Sequence, residues 1–256
     1  MHIDDPTILR RLFYPQKTPS RRQLRSGVVA ILFEIAPYVQ ISGRFCLHSP
    51  ESPNIIFFHG NGEVAADYED IGPKFSKMGA NFLVLDYRGY GESGGQPSNS
   101  SMIEDARALF PKVVEYLSEN GNVGPVVIMG RSLGSASAIE IALNYAPDLA
   151  GLVLESAFAR PEPLLELLGV PREIVDQIDC TAIANVEKIA HIYLPLLVMH
   201  GEEDSLIPES HGKALYEASP AEQKELCIIP EAEHNTILLF DHYFVALKGF
   251  LESLSQ

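Results

Sequence analysis

Val126-Val127-Ile128-Met129-Gly130-Arg131-Ser132-Leu133-Gly134 joins a short, wholly apolar run to a segment rich in Ala and Leu that ends before Pro147. The run reads as a buried strand, and Leu133 to Tyr145 reads as a helix. Between them stands G-x-S-x-G, in the strand–turn–helix setting that gives this pattern chemical meaning. The turn it predicts is so tight that its central residue is strained. The residues two before and two after must be almost free of side chain, and Gly130 and Gly134 meet that demand. Ser132 would be lifted above the sheet, with the positive end of the helix and the Leu133 amide aimed at any oxyanion forming there. The purely structural alternative is a Gly-rich helix start with Ser132 as its cap.

Outward from this point the pattern repeats. Apolar runs occur at Ile55–Phe58, Phe82–Leu85, Leu152–Leu154, Leu196–Met199 and Leu226–Ile229, each bounded by Gly, Pro or polar residues. They lack polar–apolar alternation, as strands of a parallel sheet covered on both faces do. Helical stretches separate them. Ser101-Met102-Ile103-Glu104 reads as a capping box opening a helix toward Asn120. Glu209–Ala218 follows Pro208, and His234–Leu254 closes the chain. Two further β-like stretches, Val28–Ile35 and Val39–Leu47, come first. The fold class is therefore α/β, a mostly parallel central sheet flanked by helices on both faces. Residues 157–194 exceed one crossover and carry many leucines, so they predict a short helical lid inserted above the sheet. Leu165 and Leu168 are its candidate acyl-pocket residues.

A serine hydroxyl needs a base, and the base needs an acid to orient it. On this scaffold they follow in the order Ser, Asp or Glu, His. His200-Gly201-Glu202-Glu203-Asp204 follows a buried strand, and Asp204 is the preferred acid because Ile207-Pro208 then lead into the next helix. Glu202 and Glu203 come next, and Glu155 and Asp86 are more distant competitors. Glu231-Ala232-Glu233-His234 follows the last strand and offers His234 as base. His59 and His200 end strands before glycines and read as structural, His211 falls within a helix, and His242 reads as solvated. His59-Gly60-Asn61-Gly62 is a turn able to expose amides. The Asn61 N–H, with that of Leu133, is the expected oxyanion pair. Gly89-Tyr90-Gly91-Glu92-Ser93-Gly94 fits G-x-G-x-x-G. However, no helix opens at its glycines to hold a pyrophosphate, so it reads as a turn near the site rather than a nucleotide loop.

His59–Gly62, Asp86–Ser93, Gly130–Gly134, Glu155–Phe158, His200–Asp204 and Glu233-His234, in this order, resemble the serine α/β-hydrolases. The branch most similar holds small esterases and protein depalmitoylases. The resemblance implies hydrolysis of a carboxylic ester or thioester in a small or acylated substrate, through Ser132, Asp204 and His234. It also implies an oxyanion hole of Asn61 and Leu133, no metal and no cofactor. A peptidase on the same scaffold, or a non-catalytic binding module, are the other readings. The sequence departs from the depalmitoylases at Gly62-Glu63, where they more often carry an alanine. It also departs in lacking their early cluster of cysteines.

Composition agrees with a folded domain: of 256 residues, 46% are apolar and 21% charged. The net charge of −15 repels phosphate backbones and argues against a nucleic-acid partner. Residues 1–26 run against this trend, with Arg10, Arg11, Lys17, Arg21, Arg22 and Arg25 facing only Asp4 and Asp5. They read as a basic arm extended over an acidic body, with peripheral contact to an anionic membrane as the weaker alternative. Residues 27–256 then form a single domain. Cys46, Cys180 and Cys227 form no disulfide or zinc pattern, which fits a reducing, cytoplasmic compartment. No run reaches the ~18 apolar residues of an integral membrane span.

Overall fold

The structure is a computed structural model that describes residues 3–19 and 23–254. Among these residues eight strands form one sheet in the order β1-β2-β4-β3-β5-β6-β7-β8. They are β1 (Val28–Ala36), β2 (Val39–Cys46), β3 (Asn54–Phe58), β4 (Asn81–Leu85), β5 (Val126–Arg131), β6 (Gly151–Glu155), β7 (Leu196–Gly201) and β8 (Lys224–Ile229). β1 and β2 form an antiparallel edge, and from β4 to β8 the strands run parallel.

The continuous apolar runs divide strictly by parity. Ile56, Phe58, Leu83, Leu85, Ile128 and Val198 enter one core, while Ile55, Phe57, Phe82, Val84, Val127, Met129 and Leu197 enter the other. Period-2 geometry sends neighbours to opposite faces, so a strand covered twice must be apolar at every position. α3 (Asn99–Glu119), α4 (Gly134–Tyr145) and α8 (Glu209–Ala218) cover the first face. α2 (Gly72–Lys77) and α9 (Asp241–Ser253) cover the second.

The chain leaves β3 toward β4 on one side and returns to place β5 on the other side of β3. Connections therefore diverge between the carboxyl ends of β3 and β5, the switch point at which open α/β sheets form their ligand crevice. Asn61 lies just after β3 and Ser132 just after β5.

Several elements differ from the sequence expectation. α3 begins three residues early: Ser98 is the cap, accepting from the Ser101 N–H at 3.0 Å while its own N–H donates to Ser101 Oγ at 2.9 Å. The last helix opens at Asp241, after a single 3₁₀ turn at Ile237–Leu239. Residues 157–194 hold α5 (Glu162–Leu167), α6 (Arg172–Val175), a 3₁₀ turn at Thr181–Ile183, and α7 (Asn185–Ile189).

The largest correction concerns the basic arm. Pro6–Leu12 is a helix, α1, capped by Asp5, which accepts from the Thr7 N–H at 2.8 Å. Ile3, Ile8, Leu12 and Phe13 are buried in the main core, so this segment is part of the packed body rather than an extended arm. Ile8 and Leu12 are four apart and share one helical face. Arg21 and Arg22 lie outside the described residues. No described helix is long and apolar enough to cross a membrane.

Candidate active site

β5 ends at Arg131, and the next residue turns sharply. Ser132 has φ +50°, in the left-handed region that a residue with a Cβ seldom adopts. The glycines around it have steric reasons. A Cβ on Gly134 would overlap the Phe58 carbonyl of β3, and one on Gly130 would overlap Gly134 itself. The Ser132 N–H donates to the Glu155 carbonyl at 2.9 Å, which ties the turn to β6. The Leu133 N–H heads α4, where first-turn amides lack intrahelical acceptors.

Loops from three strand ends converge here. His234 Nε2 lies 3.2 Å from Ser132 Oγ, and His234 Nδ1 lies 2.7 Å from Asp204 Oδ2. All three side chains are buried. A Nδ1–H donating to the carboxylate leaves Nε2 free to accept from the serine hydroxyl. Asp204 Oδ1 accepts from the N–H groups of Ile207 at 2.8 Å and Leu206 at 3.1 Å. Burial alone would raise the Asp204 pKa. Bonds to His200 and His234, the charge of His234 and the Ile207 amide outweigh it and hold the carboxyl well below the usual range.

The competing residues fall elsewhere. Glu202 and Glu203 are exposed. Asp86 accepts from Ser42 Oγ at 2.6 Å and from the Ala65 N–H at 2.9 Å. Gly91 presses against that carboxylate, so the glycine-rich turn wraps Asp86. His59 lies 3.3 Å from Asp86. His200 is the exception, with Nε2 2.7 Å from the Ile207 carbonyl and 3.4 Å from Asp204 Oδ2, while His211 accepts from the Ala159 N–H. His242 is exposed.

Glu155 belongs to a network that the sequence reading did not assemble. Arg131 donates to Glu63 at 2.8 Å, to Glu155 at 2.7 Å, to the His234 carbonyl at 2.9 Å and to Asn235 at 3.0 Å. Tyr243 completes Glu155 at 2.8 Å. Burial works against the Arg131 cation, but Glu155 and Glu63 overcome it and push its pKa well up. Burial raises Glu155 despite Arg131, whereas for Glu63 the charge of Arg131 prevails and lowers it. The available signal was an arginine between a strand-end glycine and the elbow serine, a buried position that requires carboxylate partners.

A cavity of about 220 Å³ opens over Ser132 and His234. Leu12, Leu133, Leu164, Leu168 and Leu206 make its apolar part, with Asn61, Glu63 and Asn235 on the polar side. Gly60 donates its N–H to Glu63 at 2.7 Å, which leaves the Asn61 amide as the next one along the turn. Leu168 lines this cavity. Leu165 is fully buried in the core, and Leu164 takes the cavity position beside Leu168. On a helix, 164 and 168 are four apart and share a face, while 165 is turned about 100° away.

Residues 49–178 and 170–241 match the family described as "Serine aminopeptidase, S33". The chain belongs to this family of α/β-hydrolases. It is 31% identical over 204 residues to the mouse (Mus musculus) alpha/beta hydrolase domain-containing protein 17C, an alignment covering 77% of this chain and 59% of that protein. The chain thus spans under two thirds of the curated relative's length. Its fold is also that of the Pyrococcus furiosus esterase Pf2001, with a TM-score of 0.71 and 20% identity over 93% of this chain and 98% of that one. A soluble variant of the Saccharomyces cerevisiae monoglyceride lipase gives a TM-score of 0.70 and 17% identity over 93% and 99%.

Proposed function

We propose that the protein is a serine hydrolase that cleaves a carboxylic ester or thioester through an acyl-enzyme. The observation that carries this reading is the unbroken Ser132–His234–Asp204 chain of hydrogen bonds at the floor of a leucine-walled cavity. Ser132 Oγ attacks the substrate carbonyl carbon while His234 Nε2 takes the hydroxyl proton. Asp204 holds the imidazole tautomer and stabilises the imidazolium. The N–H groups of Asn61 and Leu133 receive the oxyanion. Collapse expels the alcohol or thiol, which leaves with the proton from His234. Water then repeats the sequence and releases the acid, regenerating the Ser132 hydroxyl.

The family's name raises an aminopeptidase as the second reading. Such an enzyme must anchor a free α-ammonium. Among the described residues lining the cavity, Glu63 is the one carboxylate. Its oxygens are occupied by Arg131, the Gly60 N–H and the Tyr68 hydroxyl. An acyl chain fits the leucine wall better, which favours the ester or thioester.

The test is Ser132→Ala against a short-chain p-nitrophenyl ester, with fluorophosphonate labelling alongside. The variant should lose roughly 10⁶ in kcat and all labelling. Turnover at the wild-type rate in the variant would falsify the assignment. Faster cleavage of aminoacyl anilides than of esters would move it to the second reading.

A further inference from the structure

The oxyanion turn has little rigidity of its own. Asn61 sits between Gly60 and Gly62, and Gly62 has φ +78°. Glycines on both sides leave a turn with maximal backbone freedom unless something outside holds it. Glu63 holds its first residue through the Gly60 N–H, and the N-terminal segment holds Asn61 itself. The Asn61 side-chain amide donates to the Leu12 carbonyl at 2.5 Å, and its oxygen accepts from the Tyr14 N–H at 3.1 Å. The Tyr90 hydroxyl donates to the same oxygen at 2.7 Å.

The segment is anchored on both sides of this crossing. Upstream, Asp4 accepts from the Asn99 N–H at the head of α3 at 2.8 Å. Downstream, the Gln16 carbonyl accepts from the Gly91 N–H at 2.8 Å, and Lys17 donates to the Ser93 carbonyl at 2.8 Å. Arg11 donates to the carbonyls of Leu168 and Gly169, just past α5, at 3.2 and 2.7 Å. Leu12 and Tyr14 themselves line the cavity.

We infer that residues 11–14 are a working part of the active site: they clamp the Asn61 side chain, and so hold the Asn61 N–H where the oxyanion forms, while Arg11 fastens the cavity wall at Leu168. The role given to the Asn61 N–H rests on the function proposed above. Asn61 and Tyr90 are positioning residues through their side chains, since the group that meets substrate is the main-chain amide. An oxyanion donor acts by being in place before the charge develops. Loosening the clamp therefore lowers kcat and leaves KM nearly untouched.

The experiment uses the full chain with Tyr90→Phe, Asn61→Ala and Arg11→Gln. Two readouts are taken: kcat and KM on p-nitrophenyl butyrate, and hydrogen–deuterium exchange in peptides covering residues 59–64 and 164–170. Tyr90→Phe keeps the buried ring and removes both the bond to the Asn61 oxygen and the one the hydroxyl accepts from the Tyr14 N–H at 3.1 Å, so kcat should fall about tenfold. Asn61→Ala removes every clamp bond, and the loss should approach the roughly 10² of a whole oxyanion donor, with KM changing less than about twofold. Both variants should speed exchange at 59–64, and Arg11→Gln should speed it at 164–170. Unchanged kcat and exchange in both Tyr90→Phe and Asn61→Ala overturn the inference. So does a loss expressed in KM rather than kcat. If the wild-type chain hydrolyses no ester and takes no fluorophosphonate, the proposed function fails, and the exchange data still decide whether the clamp exists.

Discussion

The guanidinium of Arg131 donates to the main-chain carbonyl of His234 at 2.9 Å, so the residue preceding Ser132 in the chain holds the imidazole loop from behind. The same side chain satisfies Glu63, which in turn accepts from the Gly60 N–H. One cation thus links the loops after β3, β5 and β8.

Arg131→Met should therefore unfold more easily and work worse. It leaves Glu155, fully buried, without its charge partner. Breaking a buried pair on one side costs about 3–5 kcal/mol. Urea denaturation of Arg131→Met, beside Arg131→Met with Glu155→Gln, should show the second change recovering part of the loss. A double variant no more stable than the single one would mean that the buried carboxylate is not the source of the damage.

Asp204 supplies a pH dependence with a definite sign. Its carboxyl lies below the ordinary range in the folded chain and returns to about 3.9 on unfolding. The folded state binds this proton more weakly. The stability from this group is complete above the unfolded value and is lost as pH falls from there toward the folded value. The difference in unfolding free energy between wild type and Asp204→Asn should shrink as pH falls below about pH 4. A difference that grows on acidification contradicts the assignment. Asp204→Asn should also lose roughly 10⁴ in kcat by favouring the wrong tautomer.

How much of this could be read beforehand differs by element. The six parallel-sheet runs were legible because a strand covered on both faces has no polar position to hide. That Ser132, Asp204 and His234 meet was legible because strand-end loops of a parallel sheet share one edge, so chain order stands in for geometry. α1 was obscured by Arg10 and Arg11, whose charges mask the four-residue spacing of Ile8 and Leu12. The Arg131 network joins residues 63, 131, 155 and 234, and no local pattern announces a contact across that span. The start of α3 slipped because Ser98 and Ser101 cap each other, while Glu104 completes a decoy box from Ser101. At Leu164, Leu165, Leu167 and Leu168, four leucines in five positions leave the helical phase unreadable until the helix is placed.

The elbow glycines give a steric prediction. A Cβ at 134 meets backbone of β3 rather than a side chain that could turn aside. Gly134→Ala should therefore displace α4 from the sheet, cost several kcal/mol (~3 or more) and abolish ester turnover. Gly249, which has open space around it, is the control. Gly249→Ala in the middle of α9 should be neutral or stabilising by up to about 1 kcal/mol. Thermal unfolding of both variants checks the contrast, and equal midpoints would refute it.

The phase of α5 makes the last prediction a matched pair. Leu164 lines the cavity over Ser132 and also, with Leu206, a second apolar cavity of about 210 Å³ lined by Phe158, Leu167 and Ile207. Those two side chains belong to the linings of both spaces. Leu164→Ala should join them and move the preferred p-nitrophenyl ester toward longer acyl chains, because each added methylene that finds apolar cover gains about 0.8 kcal/mol. Leu165→Ala removes a fully buried side chain from the core instead. It should cost about 2–5 kcal/mol of stability and leave the chain-length profile unchanged. Measuring both profiles and both urea midpoints separates the two roles. If Leu165→Ala shifts chain-length preference while Leu164→Ala does not, the face that α5 turns to the substrate has been misassigned.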